Sequence, residues 1–533
     1  MEINAYMDTK RMENRVAKLS NRSWFTYGPL FLIILFGAVL RFYKLGEWSF
    51  WIDEIYTVNH AMRHFGDWEL ILDHTPPYRN WIPVSVILTA QALNIWGVSE
   101  WSARLVSMMI GVISIPILFF STRRMFGDWV ALLAVLLLAV SPWHIFWSQN
   151  ARFYTSLMLF YTLALFAFYF GMERNRPGYI LLFHLLLYLG CSERLFALFI
   201  LPVVISYLLS LRFLSIEKPI GLNTKMILLL FSPFVVYGIF EVLRWAWLGS
   251  SIVRDFMDVF LGQVNTTPLR LSLSIIYRIG ISVLLLGFTG GLYTLIKKQR
   301  ASLLIFIGAI LPILLLVLIS SFMFTVDRYI FVTLFYWFIL GALAMKELFA
   351  QTEGFVRIVP FAVLLVLLMT SLSEVFLYYQ YQYGNRPDWK GAFLTVRQKM
   401  KAEDVIVATR PELGMFYLRQ NVTYINGISS DTLKNSSGRI WFVIDEATSA
   451  VNPDTKEWIL KNTELIQVRG IYLPGKSLSI YIYLYDPARK SRTRSPDCFG
   501  SEGVTLQRIT CLHRRIETSR ILTLARPKII HEF

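Results

Sequence analysis

Apolar residues along this chain gather in runs of roughly 17 to 25, each long enough at about 1.5 Å per helical residue to cross a hydrocarbon core of about 30 Å. Leu30 to Phe42 extended back to Tyr27, Val130 to Val140, Ile227 to Phe240, Leu303 to Phe324 and Val356 to Leu377 are the centres of such runs. They predict α-helices in lipid, because the bilayer interior offers backbone groups no partner outside the helix. From Gly384 the pattern changes. Asp388 to Met400 is amphipathic with a helical period, Val405 to Thr409 and Ile440 to Asp445 read as buried strands, and Pro453 to Asn462 reads as a helix. Leu478 to Tyr485 alternates with period two. The fold class that follows is a polytopic α-helical membrane protein with a small C-terminal α/β domain over residues 384–487.

Basic residues set the orientation. Residues 1–24 carry Lys10, Arg11, Arg15, Lys18 and Arg22 and lead without a small-residue cleavage site into the first apolar run. They read as a cytoplasmic tail ahead of a retained span. Downstream, Arg123-Arg124, Glu173 to Arg176, Arg212 with Lys218, Lys297 to Arg300, and Lys346 to Arg357 form basic turns that alternate with poorly charged ones near 148, 193, 249–270 and 325. The basic turns all share the side of the N-terminus only if Asn80 to Gly97, which contains Pro83, Gln91 and Asn94, does not cross. The expectation is about eleven spans in a transmembrane domain over 25–380, with a large first extracytoplasmic loop over 46–104. By parity the C-terminal domain lies on that same outer side.

Composition excludes the main soluble classes. The 533 residues are 55% hydrophobic and 17% charged, whereas a soluble multidomain enzyme would be about a quarter charged. A formal charge of +16 would suit nucleic acid, but ten Lys and Arg against four Asp and Glu fall in the last stretch, 488–533, and most other cations flank apolar runs. That last stretch has no period and is expected to be disordered. No nucleic-acid partner is expected. Cys191, Cys498 and Cys511 have no metal-ligand spacing.

The candidate chemistry sits in the outer turns. Trp48-Ser49-Phe50-Trp51-Ile52-Asp53-Glu54 opens the first loop, where interfacial tryptophans followed by solvated acids would explain the residues without any reaction. Adjacent acids on a helix point about 100° apart, so one can act on a reacting atom while the other orients or binds. Asp73-His74-Thr75-Pro76-Pro77-Tyr78-Arg79-Asn80 follows; a helix breaker explains its prolines and leaves its polar residues unaddressed. Further turns carry Gln149 to Tyr154 with Arg152, Ser192 to Arg194, and Asp327-Arg328-Tyr329. Snorkelling accounts for any single arginine. Together, however, Arg79, Arg104, Arg152, Arg194 and Arg328 fall on the face where the positive-inside tendency does not put them, and Arg forks take phosphate oxygens in pairs.

The W-x-x-W-x-D-E context of the acids, the downstream Pro-Pro-Tyr, Gly97 to Arg104, Arg123-Arg124-Met125-Phe126-Gly127, and Ser141-Pro142-Trp143-His144-Ile145 leading to Ala151-Arg152-Phe153-Tyr154 recur in a definite order. With them the chain resembles the protein O-mannosyltransferase and aminoarabinose-transferase superfamily of C-type glycosyltransferases. The likeness is best over residues 28–200 and returns at Asp327-Arg328-Tyr329. It implies a polyprenyl-phosphate sugar as donor, Asp53 at the catalytic acidic position and Glu54 beside it. It also implies a site-shaping loop of Asp73, His74, Pro76 and Pro77, although Thr75 interrupts the usual His-Pro-Pro order. Donor-phosphate contacts are implied at Arg152 and Arg328 with Tyr329, and at Arg79. Arg104 and Arg194 remain as further outer-face cations.

The expected reaction moves the sugar to an acceptor hydroxyl of a protein, lipid or glycan at the extracytoplasmic face of the plasma membrane. Asp53 would serve as general base in an inverting displacement while arginines stabilise the departing phosphate. A divalent metal on that phosphate is an alternative requirement, with Asp53, Glu54, His60, His64 and His74 as ligands in principle. His60 and His64 lack the Glu of H-E-x-x-H, so interfacial histidines are favoured, and no metal site is assigned. A transporter or flippase of lipid-linked sugars is the competing reading. It would call for polar residues near mid-membrane, where a charge costs about 2.5 to 3.5 kcal/mol, whereas most charges here stand at span ends.

Overall fold

The computed structural model of the chain describes residues 26–63, 83–248, 264–428, 432–433, 438–446, 451–473 and 476–489. The chain opens with α1 (Thr26–Phe42), α2 (Ile52–Arg63), α3 (Val84–Trp96) and α4 (Glu100–Phe126). It continues with the bent pair α5 (Asp128–Val140) and α6 (Pro142–Ser148), then α7 (Tyr154–Arg174), α8 (Pro177–Glu193) and α9 (Ile200–Phe213). The rest of the bundle is α10 (Thr224–Leu248), the bent pair α11 (Pro268–Ile279) and α12 (Ile281–Lys297), α13 (Arg300–Ile319), α14 (Leu334–Gln351) and α15 (Ile358–Gln380). Among the described residues seven helices are long and apolar enough to cross a membrane, or nine if each bent pair is one span. The chain is a multi-pass membrane protein. The expected span number was about eleven; α1 and the 17-residue α8 stand outside those nine.

Local chemistry explains where these helices begin and end. α4 starts at Ser99, whose hydroxyl accepts the Ser102 N–H while the Ser102 hydroxyl is met by the Ser99 N–H, and it closes on Arg123 and Arg124 before Gly127. Both ends follow the capping and dipole rules. α3 has 13 residues, about 20 Å of helix, which is short of the hydrocarbon thickness. The 63° bend between α5 and α6 falls at Ser141-Pro142, because Pro142 has no N–H to continue the ladder. Arg41 from α1 answers the bend: its guanidinium donates to the carbonyls of Leu138 (3.0 Å) and Ala139 (2.9 Å).

The C-terminal region forms a five-stranded mixed sheet in the order β2-β1-β3-β7-β4, with β1 (Val405–Ala408), β2 (Thr423–Tyr424), β3 (Ile440–Asp445), β4 (Glu464–Arg469) and β7 (Ile480–Tyr485). A separate hairpin joins β5 (Tyr472–Leu473) to β6 (Lys476–Ser477). β1 is parallel to both β2 and β3, and β7 is antiparallel to β3 and β4. Helices at Trp389–Lys399 and Pro453–Asn462 match the amphipathic expectations, while Pro411–Leu418 and strands β2 and β4 had no expected counterpart. One face of the sheet (Ile406, Trp441, Val443, Ile480, Ile482) packs with Trp389 and Phe393 into the same apolar cluster as Phe50, Ile55, Val58 and Ala61 of the first loop. Polar contacts reinforce this seat: Tyr417 Oη accepts the Phe50 N–H at 2.8 Å and donates to Glu100 at 3.1 Å, and Ser49 Oγ donates to Pro387 O at 2.6 Å. The first loop and the sheet region therefore lie at one end of the bundle.

Gly384 marks the entry to that region. Its φ is 62°, and a Cβ there would stand 2.7 Å from the Trp48 ring, which itself packs edge-on against Tyr378 and Tyr383. Gly384→Ala is expected to cost about 1 to 3 kcal/mol through a strained backbone and a displaced indole. A lowered thermal midpoint of the purified protein checks this.

Candidate active site

Asp53 and Glu54 occupy the first turn of α2, and their helical offset sends them to different environments. Glu54 is fully buried. Its Oε1 accepts Arg104 Nε (2.8 Å) and the Ala151 N–H (2.9 Å); its Oε2 accepts Arg104 Nη2 (2.9 Å) and lies 3.6 Å from Arg386 Nε. Burial alone would raise this carboxyl, but the charges of Arg104 and then Arg386, with the hydrogen bonds from Arg104 and Ala151, outweigh it and hold the group below the ordinary carboxylate range. Arg104 is equally buried and donates further to the carbonyls of Leu45, Trp48 and Ser49. Glu54 and Arg104, expected respectively beside the catalytic acid and among the outer cations, thus form an internal clamp that fixes the approach to α2.

Asp53 is the acid left open. Its carboxylate, 22% exposed, lies 3.5 Å from Arg328 Nη2 and 3.9 Å from Arg152 Nη2, too far for tight pairing with either. Arg152 is held from behind: its Nη1 donates to the Asp53 carbonyl (3.0 Å) and to Thr57 Oγ1 (2.9 Å). Arg194 joins through a shared ring, with Phe153 lying 5.1 Å from the Arg152 guanidinium and 4.9 Å from that of Arg194. Arg328 lies over Trp51 at 5.6 Å, and the Trp51 indole donates to Asn150 Oδ1 at 2.9 Å. The Nε atoms of Arg152, Arg194 and Arg328 are all buried with no hydrogen-bond partner among the described residues. Burial first and the Arg152 charge next push the Arg194 guanidinium below its usual range. Three guanidiniums around one carboxylate leave a surplus of positive charge with unspent donors, the electrostatic condition for holding an anion.

The remaining expected residues separate. Tyr329 stacks on Phe196 with centroids 3.9 Å apart. Asp327 accepts Ser274 Oγ (2.7 Å) and Arg278 Nε (3.0 Å), which fixes the turn that presents Arg328. Asp73, His74, Pro76, Pro77 and Arg79, and with them His64, lie outside the described residues. Among the described residues no group of three or more His, Cys, Asp or Glu side chains converges as a metal site. Arg386 was not anticipated; it is buried, donates from Nη2 to Gln149 O at 2.6 Å and closes the Glu54 clamp. Its sequence setting, Gly384-Asn385-Arg386-Pro387, reads as a turn and carries no signal of a distant buried acid.

Comparison with known proteins bears on the fold that carries these residues. The family model of dolichyl-phosphate-mannose-protein mannosyltransferase matches residues 74–237. Two crystal structures of ArnT from Cupriavidus metallidurans, one in the apo state and one bound to undecaprenyl phosphate, share the fold with TM-scores of 0.56 and 0.54. Each is 14% identical and covers 86% of this chain and 98% of its own. The oligosaccharyltransferase of Archaeoglobus fulgidus in the apo form gives 0.51 at 12% identity, over 79% of this chain and 70% of that one. No curated protein sequence matches. The chain thus shares its fold along most of its length with these two proteins, and residues 74–237 are similar to the dolichyl-phosphate-mannose-protein mannosyltransferase family.

Proposed function

We propose that the protein transfers a sugar from a polyprenyl-phosphate donor to an acceptor hydroxyl at the extracytoplasmic face of the membrane. The observation that carries this reading is the group of Arg152, Arg194 and Arg328, with three buried and unpartnered Nε atoms, around the open carboxylate of Asp53. The acceptor oxygen attacks the anomeric carbon from the face opposite phosphate, and its proton passes to Asp53. The bond between that carbon and the phosphate oxygen breaks, inverting the centre, and polyprenyl phosphate leaves as an anion. Such a leaving group needs little protonation and much cationic stabilisation, which the arginines supply. Their loose contacts with Asp53 suit an exchange in which incoming phosphate draws them away and frees the carboxylate to act as base. Arg79, with the loop of Asp73, His74, Pro76 and Pro77, belongs to the same reading through the family likeness alone.

Transport of lipid-linked sugar is less well supported. The helix break at Ser141, the kind of feature a carrier uses for its cargo, already has its freed carbonyls satisfied by Arg41. The test is to incubate purified full-length protein with a panel of polyprenyl-phosphate sugars and an acceptor mixture, and to detect free polyprenyl phosphate by mass spectrometry. Release from at least one donor is expected. Intact donors throughout, with protein that moves them across vesicles, would overturn the enzyme reading.

A further inference from the structure

A cavity of about 600 Å³ lies at the other end of the bundle and plays no part in the chemistry at Asp53. α4 and α7 place their N-terminal ends at the Glu54 and Arg152 site, and their C-terminal ends, through Met125, Phe126 and Tyr169, line this cavity. α14, which follows Arg328, likewise reaches it at Leu343 and Lys346. Helices of this length separate the two sites by about 30 Å.

The lining combines the cations Lys298, Arg300 and Lys346 with the apolar side chains Met125, Phe126 and Leu343, the last one helical turn from Lys346 on the same face of α14. Arg300 is committed to Glu173 at 2.7 Å, with Glu217 at 3.8 Å, and these two carboxylates more than cancel its single charge. Lys298 and Lys346 have no ion pair among the described residues, so the cavity keeps a positive balance. A small solvated anion would need the cations alone. The apolar side chains among them, at the end of membrane-crossing helices, fit an amphiphile.

We propose that this cavity binds an anionic membrane lipid, with the headgroup phosphate on Lys298 and Lys346 and the glycerol and upper acyl chain against Met125, Phe126 and Leu343. Basic pockets between spans at one membrane boundary hold anionic headgroups by this combination of charge and depth. Both lysines are exposed and their replacement leaves the packing of the bundle untouched.

Native mass spectrometry of the full-length protein with phosphatidylglycerol or phosphatidylcholine tests the proposal. Wild type is expected to retain phosphatidylglycerol on the order of tenfold better than phosphatidylcholine. K298Q/K346Q is expected to bring that ratio close to one, while K218Q/K225Q, on the same end but outside the cavity, leaves it unchanged. Equal retention of the two lipids by wild type overturns the proposal. So does an equal loss in both double variants, which would make bulk charge the cause. Displacement of phosphatidylglycerol by millimolar inorganic phosphate would assign the cavity to a free anion and overturn its assignment to lipid.

Discussion

Asp53→Asn is expected to lower turnover by about 10²- to 10⁴-fold, the range lost when a positioned general base is removed. The same change should leave donor affinity intact or improve it. Among the described residues Asp53 is the carboxylate ion-paired with Arg152 and Arg328, at 3.9 and 3.5 Å, where it competes with phosphate, and asparagine would no longer compete. A fall in kcat with a constant or lower KM for the lipid donor is therefore the signature of a base. A carboxylate that only organised the arginines would give the opposite pattern, with weaker donor binding and turnover at saturation largely kept. Steady-state kinetics on the donor found in the panel distinguishes the two, and near-normal kcat in the asparagine variant would refute the assignment. Folding should be unaffected, because among the described residues no hydrogen bond depends on the Asp53 carboxylate; its backbone carbonyl, which holds Arg152, is retained.

The neighbouring acid should behave differently. Glu54→Ala strands Arg104 and Arg386 in a buried site without their counter-charge, and breaking one partner of a buried pair costs about 3 to 5 kcal/mol. Loss of monodisperse protein on size exclusion is expected, so any loss of activity in that variant reports folding and says nothing about chemistry. Glu54→Gln keeps the shape but offers one acceptor oxygen in place of two, and should lower the thermal midpoint less. The pH dependence has a definite sign. A carboxyl held below its unfolded value, about 4.3 for an ordinary Glu, contributes stability that is fully present above that value and is lost as pH falls through the lower folded value. The thermal midpoint of wild type should drop in that acid window, and the drop should be smaller in Glu54→Gln. Equal acid sensitivity of the two proteins would show that Glu54 is not what the clamp rests on.

Much of this molecule is legible in local pattern. Bilayer-length apolar runs, the strands Val405 to Ala408 and Ile440 to Asp445, and the helix Pro453 to Asn462 follow from periodicity and caps, which act within a few residues. Strand β4 escaped because it lies at the sheet edge, where its side chains are half-buried and need no alternation. The eight-residue helix at Pro411 is too short to establish a period.

The sequence by itself determined that this is a membrane protein, that Asp53 and Glu54 follow the first apolar run, and that arginines recur in the turns now found at one end of the bundle. Only the tertiary structure decided which acid is open and which is sealed, because that depends on Arg104 and on Arg386, 332 residues beyond Glu54 in sequence. It also decided that Arg152, Arg194 and Arg328 form one cationic group while Arg104 does not. Charge is written in the residue, but the partner that cancels it or leaves it free arrives through packing, and no spacing along the chain records that meeting.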